Sequence, residues 1–302
     1  LNETALQNGK SIWNVDLVPI SRPPGQNNVG MIAWIWTIKV PEKPDGRQIV
    51  VIANDASHSA GSFGPKEDAV FKAATELGLK RKLPIIYLSV NSGARFGLAE
   101  EVRSKFKVAW TNDSDPAKGF QYLYLEDADY ENIKASVKAE AFVTEYGEKR
   151  WILTDVIGAE DGIGAECLSG SGAIATAFSK AYHEGFTLTF VTGRAIGIGA
   201  YLSRLGHRVI QRVDQPIILT GYAALNKLLG KEVYTSHMQL GGPKVMGNNG
   251  VSHCLVEDDV SGAMAIIKWL SYVPCQIGGP LPIKKAEDPV DRDVTYYPEK
   301  EE

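Results

Sequence analysis

The chain has 302 residues, and a single hydrophobic core stops growing near ~250–300 residues, so it forms one large domain or two small ones. A formal net charge of −4 argues against a protein that coats nucleic acid, and 44% apolar with 23% charged residues excludes disorder as the main state. Three scattered cysteines, Cys167, Cys254 and Cys275, rule out a disulfide framework or zinc knuckle and point to a reducing, cytoplasmic setting; no apolar run approaches the ~20 residues of a membrane span.

Residues 1–28 are polar and turn-rich and read as a leader. The start, Leu1-Asn2-Glu3-Thr4, has no methionine and reads as a cut from a longer protein. Met31 to Val40 and Gln48 to Ala53 are β-branched, apolar runs around Pro44-Asp45-Gly46, which predicts a hairpin. Pro65 opens a helix with Glu67 and Asp68 in its first turn and Lys80, Arg81 and Lys82 at its end, charges that suit the macrodipole. Leu83 to Val90 is a continuous apolar run, as in a strand buried on both faces, and is followed by Asn91-Ser92-Gly93-Ala94-Arg95-Phe96-Gly97 and a helical stretch from about Leu98.

Residues 111–150 are charged and aperiodic and read as a surface insertion that holds a strand at Phe120 to Leu125 and ends at a strand from Trp151 to Val156. A glycine cluster, Gly158, Gly162, Gly164, Gly170 and Gly172, leads into a helix from Ala173 to Glu184. Strand Thr187 to Thr192 then meets Gly193-Arg194-Ala195-Ile196-Gly197-Ile198-Gly199 and a helix from Ala200 to Leu205. Strand Pro216 to Thr220 and helix Tyr222 to Leu229 follow. The main domain spans 29–280, and 281–302, rich in Pro, Lys, Asp and Glu, reads as the start of a linker. The repeated order of strand, small-residue loop and helix makes an α/β chain whose ligand chemistry sits at the strand exits.

The familiar phosphate motifs fail. Gly9-Lys10-Ser11 has Thr4 where a P-loop needs glycine, and Gly197-Ile198-Gly199 has Leu202 where a dinucleotide fingerprint needs its third glycine. Gly170-Ser171-Gly172 fits only the looser form ending in alanine, Ala175, and does not directly follow a strand. The five histidines lack metal-ligand spacing, no histidine follows Cys167 closely, and Leu168 to Gly172 is not a nucleophile elbow. What remains is backbone chemistry: a glycine-rich strand exit turning into a helix aims free N–H groups at a phosphate or at an oxyanion. Gly193 to Gly199 fits best, and Asn91 to Gly97 is a second candidate.

Asn91-Ser92-Gly93-Ala94-Arg95, Gly164 to Gly172, Thr192 to Tyr201, and Leu240 to His253 together resemble the N-terminal half of the carboxyltransferase domain of the multidomain, eukaryotic-type acetyl-CoA carboxylases. The resemblance covers nearly the whole chain, and the run Arg194 to Tyr201 is highly specific. It implies a crotonase-like superhelix of β-β-α units. It also implies carboxyl transfer from carboxybiotin, carried on another domain, to acetyl-CoA, giving malonyl-CoA for fatty-acid synthesis. No metal is implied. The implied partners are the C-terminal carboxyltransferase half, the biotin carboxyl carrier and biotin carboxylase domains of the same polypeptide, and a second copy in a homodimer. The implied oxyanion donors are the amides of Gly197 and Ile198, the latter standing where some members have glycine. Arg194 matches a position that contacts CoA, and Leu168, Ile198 and Tyr201 match positions that line the acyl pocket. Ser92 and Gly93 count as substrate-binding. The absence of an acid–base side chain agrees, because in this family the biotin anion is thought to act as base.

Two other readings fit the residues: an acyl-CoA hydratase or isomerase using Glu166, and a non-catalytic acyl-CoA-binding module.

Overall fold

The computed structural model describes residues 2–6, 17–95, 99–156, 167–281 and 288–297. Strands β1 (Asn2–Leu6) and β2 (Leu17–Ile20) come first, and then the predicted hairpin, β3 (Met31–Val40) with β4 (Lys43–Asn54), antiparallel from Met31 opposite Asn54 to Val40 opposite Lys43. β4 therefore starts before the Pro44-Asp45-Gly46 segment assigned to the turn. Helix α1 (Pro65–Lys80) has Pro65 in its first turn, Glu67 and Asp68 beside it and Lys80 in the last, as the sequence requires. β5 (Ile85–Ser89) follows, and the helix predicted after it shrinks to one turn, α2 (Glu100–Arg103).

The surface insertion is a structured subdomain. β6 (Lys107–Trp110), β7 (Phe120–Glu126), helix α3 (Asp127–Ile133), β8 (Val137–Val143) and β9 (Lys149–Val156) form an antiparallel sheet ordered β6-β7-β9-β8. Its own core of Ala99, Val102, Leu125, Ile133 and Val137 explains how so charged a segment folds.

Helix α4 (Cys167–Glu184) starts six residues earlier than expected, so Gly170 and Gly172 lie inside it; the other cluster glycines lie outside the described residues. The chain continues through β10 (Thr187–Val191), β11 (Ala195–Ile196), α5 (Ile198–Leu205), β12 (Arg208–Arg212), β13 (Ile217–Ile218), α6 (Tyr222–Leu229), the single turns α7 (Met238–Gly241) and α8 (Pro243–Met246), β14 (Cys254–Val256) and α9 (Asp259–Leu270).

The main sheet runs β14-β12-β10-β5-β4-β3-β1-β2, with β4, β5, β10, β12 and β14 parallel. Residues 2–6 and 17–20, within the segment read as a leader, form edge strands of this sheet. The run Pro216 to Thr220 contributes only β13, which pairs with β11 apart from the main sheet.

Strand alternation sorts the core into two layers. Val50, Ile52, Ile85 and Tyr87 face one side with Phe71 of α1 and Phe178 of α4, while Ile49, Val51, Ile86, Leu188 and Phe190 face the other with Leu270 of α9. The rings of Phe71 and Tyr87 meet edge-on at 5.1 Å, and those of Phe71 and Phe178 at 5.4 Å. Asp258 caps α9 by accepting from the Ser261 amide at 2.7 Å, and the Arg47 guanidinium closes its other end on the carbonyls of Leu270, Val273 and Pro274.

Two histidines stitch strand ends by accepting backbone N–H groups on Nδ1, His207 from Thr187 at 3.2 Å and His253 from Val209 at 3.1 Å. Burial first, and then the neighbouring Arg208, holds both below the ordinary histidine value. The unfolded chain thus takes up these protons first, so the stability they contribute is full above ~6.5 and is lost as pH falls through their folded values. Thermal unfolding between about pH 7 and pH 5 should show Tm falling, and replacing both histidines by glutamine should make that fall shallower.

Candidate functional site

β5 and β10 are parallel neighbours in register, Ser89 opposite Val191, so both chains leave the sheet at the same end. Val90 to Arg95 leaves β5, and Thr192 to Gly197 leaves β10. Phe63 amide and carbonyl bracket the first loop, pairing with Gly93 O and the Arg95 amide, both at 2.8 Å. The second loop is held from the other side by β13, where the Ala195 amide donates to Pro216 O at 3.0 Å and the Gly197 amide to Ile218 O at 2.9 Å.

Between the loops lies Asn91, fully buried. Its Oδ1 accepts from the Gly93 amide at 3.2 Å and the Ile196 amide at 3.0 Å. Its Nδ2 donates to Ser89 Oγ at 3.0 Å and Tyr87 Oη at 3.3 Å. Its own amide donates to Arg194 O at 2.8 Å. Tyr87 passes the network to β4, donating to Asn54 Oδ1 at 2.6 Å, and burial pushes its phenol well above the ordinary tyrosine value, so it stays a proton donor.

Helix α5 begins where the second loop turns. Gly197 sits at φ 55°, a left-handed conformation that glycine adopts freely, and its carbonyl accepts from the amides of Ala200 and Tyr201 at 3.0 and 3.1 Å. The amides of Ile198 and Gly199 are the first two of the helix; they lack intrahelical acceptors and have none among the described residues. The Ala94 amide, pointing away from Phe63, likewise has no acceptor among the described residues. The two loops touch: a Cβ on Gly93 would lie 3.2 Å from Ile196 O.

Most of the sequence-predicted residues gather here. Ser92 and Gly93 lie in the first loop, Arg194 and Gly197 in the second, and Ile198 opens α5. The role expected of the Gly197 amide is corrected, because that N–H is spent on Ile218 O. Nor does the Ile198 side chain stand free in a pocket; it packs half-buried against the core layer of Phe63 and Leu202. Arg194 is exposed and forms no ion pair among the described residues. Tyr201, one turn into α5 and 55% exposed, lines an apolar groove of about 510 Å³ with Ile217, Leu219, Leu225 and Leu240. Leu168 is in the first turn of α4, but its side chain and all of Glu166 lie outside the described residues. Sequence reasoning missed Asn91 as a link, and missed the Ala94 amide. An asparagine directly after a buried apolar strand, followed by Ser-Gly, was the available signal. Among the described residues, no group of three His, Cys, Asp or Glu side chains could hold a metal ion, and no helix is long and apolar enough to cross a membrane.

The fold is the mixed α/β, crotonase-like fold of carboxyltransferases. Two solved structures of transcarboxylase 12S, one described with hydrolyzed methylmalonyl-coenzyme A bound and one with methylmalonyl-coenzyme A and methylmalonic acid, match with TM-scores of 0.54 and 0.55 at 17% and 18% identity, covering 82% of this chain and 34% of theirs. The chain belongs to the carboxyl transferase domain family, whose model matches residues 41–302. It is 60% identical over 287 residues to acetyl-CoA carboxylase 1 of Oryza sativa subsp. japonica, covering 95% of this chain and 13% of that protein. It is 59% identical over 291 residues to acetyl-CoA carboxylase 1 of Arabidopsis thaliana and 52% identical over 293 to the acetyl-CoA carboxylase of Saccharomyces cerevisiae (strain ATCC 204508 / S288c). In both cases the match covers 96% of this chain and 13% of the relative.

A Cβ added to Gly199 would lie 2.1 Å from Asn91 Oδ1, so Gly199→Ala must push the carboxamide off its partners. Overpacking of this kind costs about 1–3 kcal/mol, which chemical denaturation of the variant should register as a lower midpoint with an unchanged slope.

Proposed function

We propose that this chain is the N-terminal half of the carboxyltransferase of an acetyl-CoA carboxylase, and that it holds the acyl-CoA while a carboxyl group passes to acetyl-CoA to give malonyl-CoA. The observation that carries the proposal is the pair of amides at the start of α5, Ile198 and Gly199, which have no acceptor among the described residues, with the Ala94 amide on the loop in contact. Close similarity to three acetyl-CoA carboxylases over 95–96% of the chain supports it. So does a shared fold with a structure described as binding methylmalonyl-coenzyme A.

Removing a proton from the methyl group of acetyl-CoA moves negative charge onto the thioester oxygen. Fixed N–H donors aimed at that oxygen stabilise it without reorganising during the reaction. The positive end of α5 adds to the same effect. Carboxybiotin, carried on another domain, supplies the carboxyl group and the base when it is bound. The chain's own residues then need only to position and to stabilise; the carboxylates that touch the two loops are held by other partners, Glu67 by Arg95 and Gly30 N, and Asp259 by Thr192 and Arg212. Arg194, exposed at the strand exit, is the residue for the anionic groups of CoA. The apolar groove beside Tyr201 lies next to the donors, and we assign its open side to the other carboxyltransferase half, contributed by a second protomer. Biotin's urea oxygen needs donors of its own, which we also assign to that half, with the carrier and carboxylase domains elsewhere on the polypeptide.

Two substitutions, made in the complete polypeptide, test the assignment by malonyl-CoA decarboxylation with free biotin. Ile198→Pro deletes one donor at a first-turn position that tolerates proline, and should lower kcat by about 10²–10³. Ile198→Ala keeps the amide and should stay within about tenfold; equal losses in both would contradict the donor role. Arg194→Ala should raise KM for malonyl-CoA by about tenfold with a smaller fall in kcat.

A further inference from the structure

We infer that Asn91 is the positioning residue of this site: its carboxamide holds the two strand-exit loops so that the amides of Ala94, Ile198 and Gly199 form one donor set. The inference rests on the acyl-CoA reading above.

A single atom carries it. Asn91 Oδ1 accepts from Gly93 N, one residue before Ala94, and from Ile196 N, two residues before Ile198. Moving that oxygen moves both donor stretches together. The other end of the carboxamide is anchored by Ser89 Oγ and Tyr87 Oη, on the rigid strand that precedes the loop. All the hydrogen-bonding capacity of the side chain is thus spent, two bonds accepted and two donated, at a fully buried position. Among the described residues, no other side chain bonds both loops.

The residue type is closely constrained. Gly199 leaves room for the carboxamide and no more, since a methyl group there would lie 2.1 Å from Oδ1, so the longer glutamine does not fit. Aspartate has the right size and keeps an acceptor for both amides, but it places a negative charge behind donors that must face a developing negative charge. Asparagine supplies acceptor and donor with no charge. A misplacement of about 1 Å in such a site is worth about 10² in rate.

The test uses the complete enzyme that carries this sequence, with malonyl-CoA decarboxylation in the presence of free biotin as the readout and thermal unfolding as the fold control. Asn91→Ala should lower kcat by about 10² while KM for malonyl-CoA stays within about threefold, because the remote CoA contacts are untouched. Asn91→Asp loses both donated bonds and buries a charge, so its Tm should fall below wild type and recover as pH is lowered; the folded variant should show kcat rising as pH is lowered and the new carboxyl takes up its proton, a limb that wild type lacks. Where Asn91→Ala does not fold, the aspartate variant decides. A folded variant of either kind with kcat within about threefold of wild type throughout the pH range would overturn the inference. Wild-type enzyme that fails to decarboxylate malonyl-CoA would overturn the acyl-CoA reading itself; normal wild-type turnover with unaffected variants would overturn the role of Asn91 alone.

Discussion

The parallel pairing of β5 with β10 is the constraint on which the rest of the site depends. Parallel strands in register end at the same edge of the sheet, so two loops distant in sequence must leave side by side. Their backbone groups lose the ladder there and need other partners, because an unpaired buried amide costs about as much as a lost hydrogen bond. Asn91, Phe63 and β13 take up most of that need. Among the described residues, the amides left without an acceptor include those at the start of α5 and at Ala94, and the chemistry proposed for the molecule uses these.

Rigidity comes from both sides of the sheet. α1 and α4 cover one face through Phe71 and Phe178, and α9 covers the other through Leu270. The strand under the first loop, β5, is buried throughout except at Leu88. Such packing leaves the strand ends little freedom, which is what a site made of backbone donors requires. The aromatic trio of Phe71, Phe178 and Tyr87 links this core to the polar network, since the tyrosine packs against Phe71 and donates to Asn54.

Much of this was legible in the residues. The hairpin of β3 and β4, helix α1 with its terminal charges, β5 and β10 all follow from apolar runs and capping chemistry that act locally. β12 and β14 were not legible, because RVIQR and CLV are too short to show a period, and their pairing with β10 is a property of the sheet. Residues 2–6 and 17–20 look like a leader until β3 offers them an edge. The site shows the same division. The run from Gly193 to Gly199 announces a strand-to-helix turn, but which of its amides is left for a ligand depends on where Ile218 falls, more than 20 positions away: Ile218 takes the Gly197 amide and leaves the expected Ile198 amide with that of Gly199. The weight of Asn91 was hidden for the same reason, since its partner Ile196 is 105 positions distant.

The central claim is that the chain carries the acyl-CoA side of a carboxyltransferase and that the other half brings the biotin side. The direct measurement is malonyl-CoA decarboxylation with free biotin, run on purified residues 1–302 alone and again after adding the C-terminal half of the carboxyltransferase. The account predicts CoA binding without turnover in the first case and turnover in the second. Robust decarboxylation by residues 1–302 alone would contradict it, because both charged carbonyls would then be stabilised within this chain.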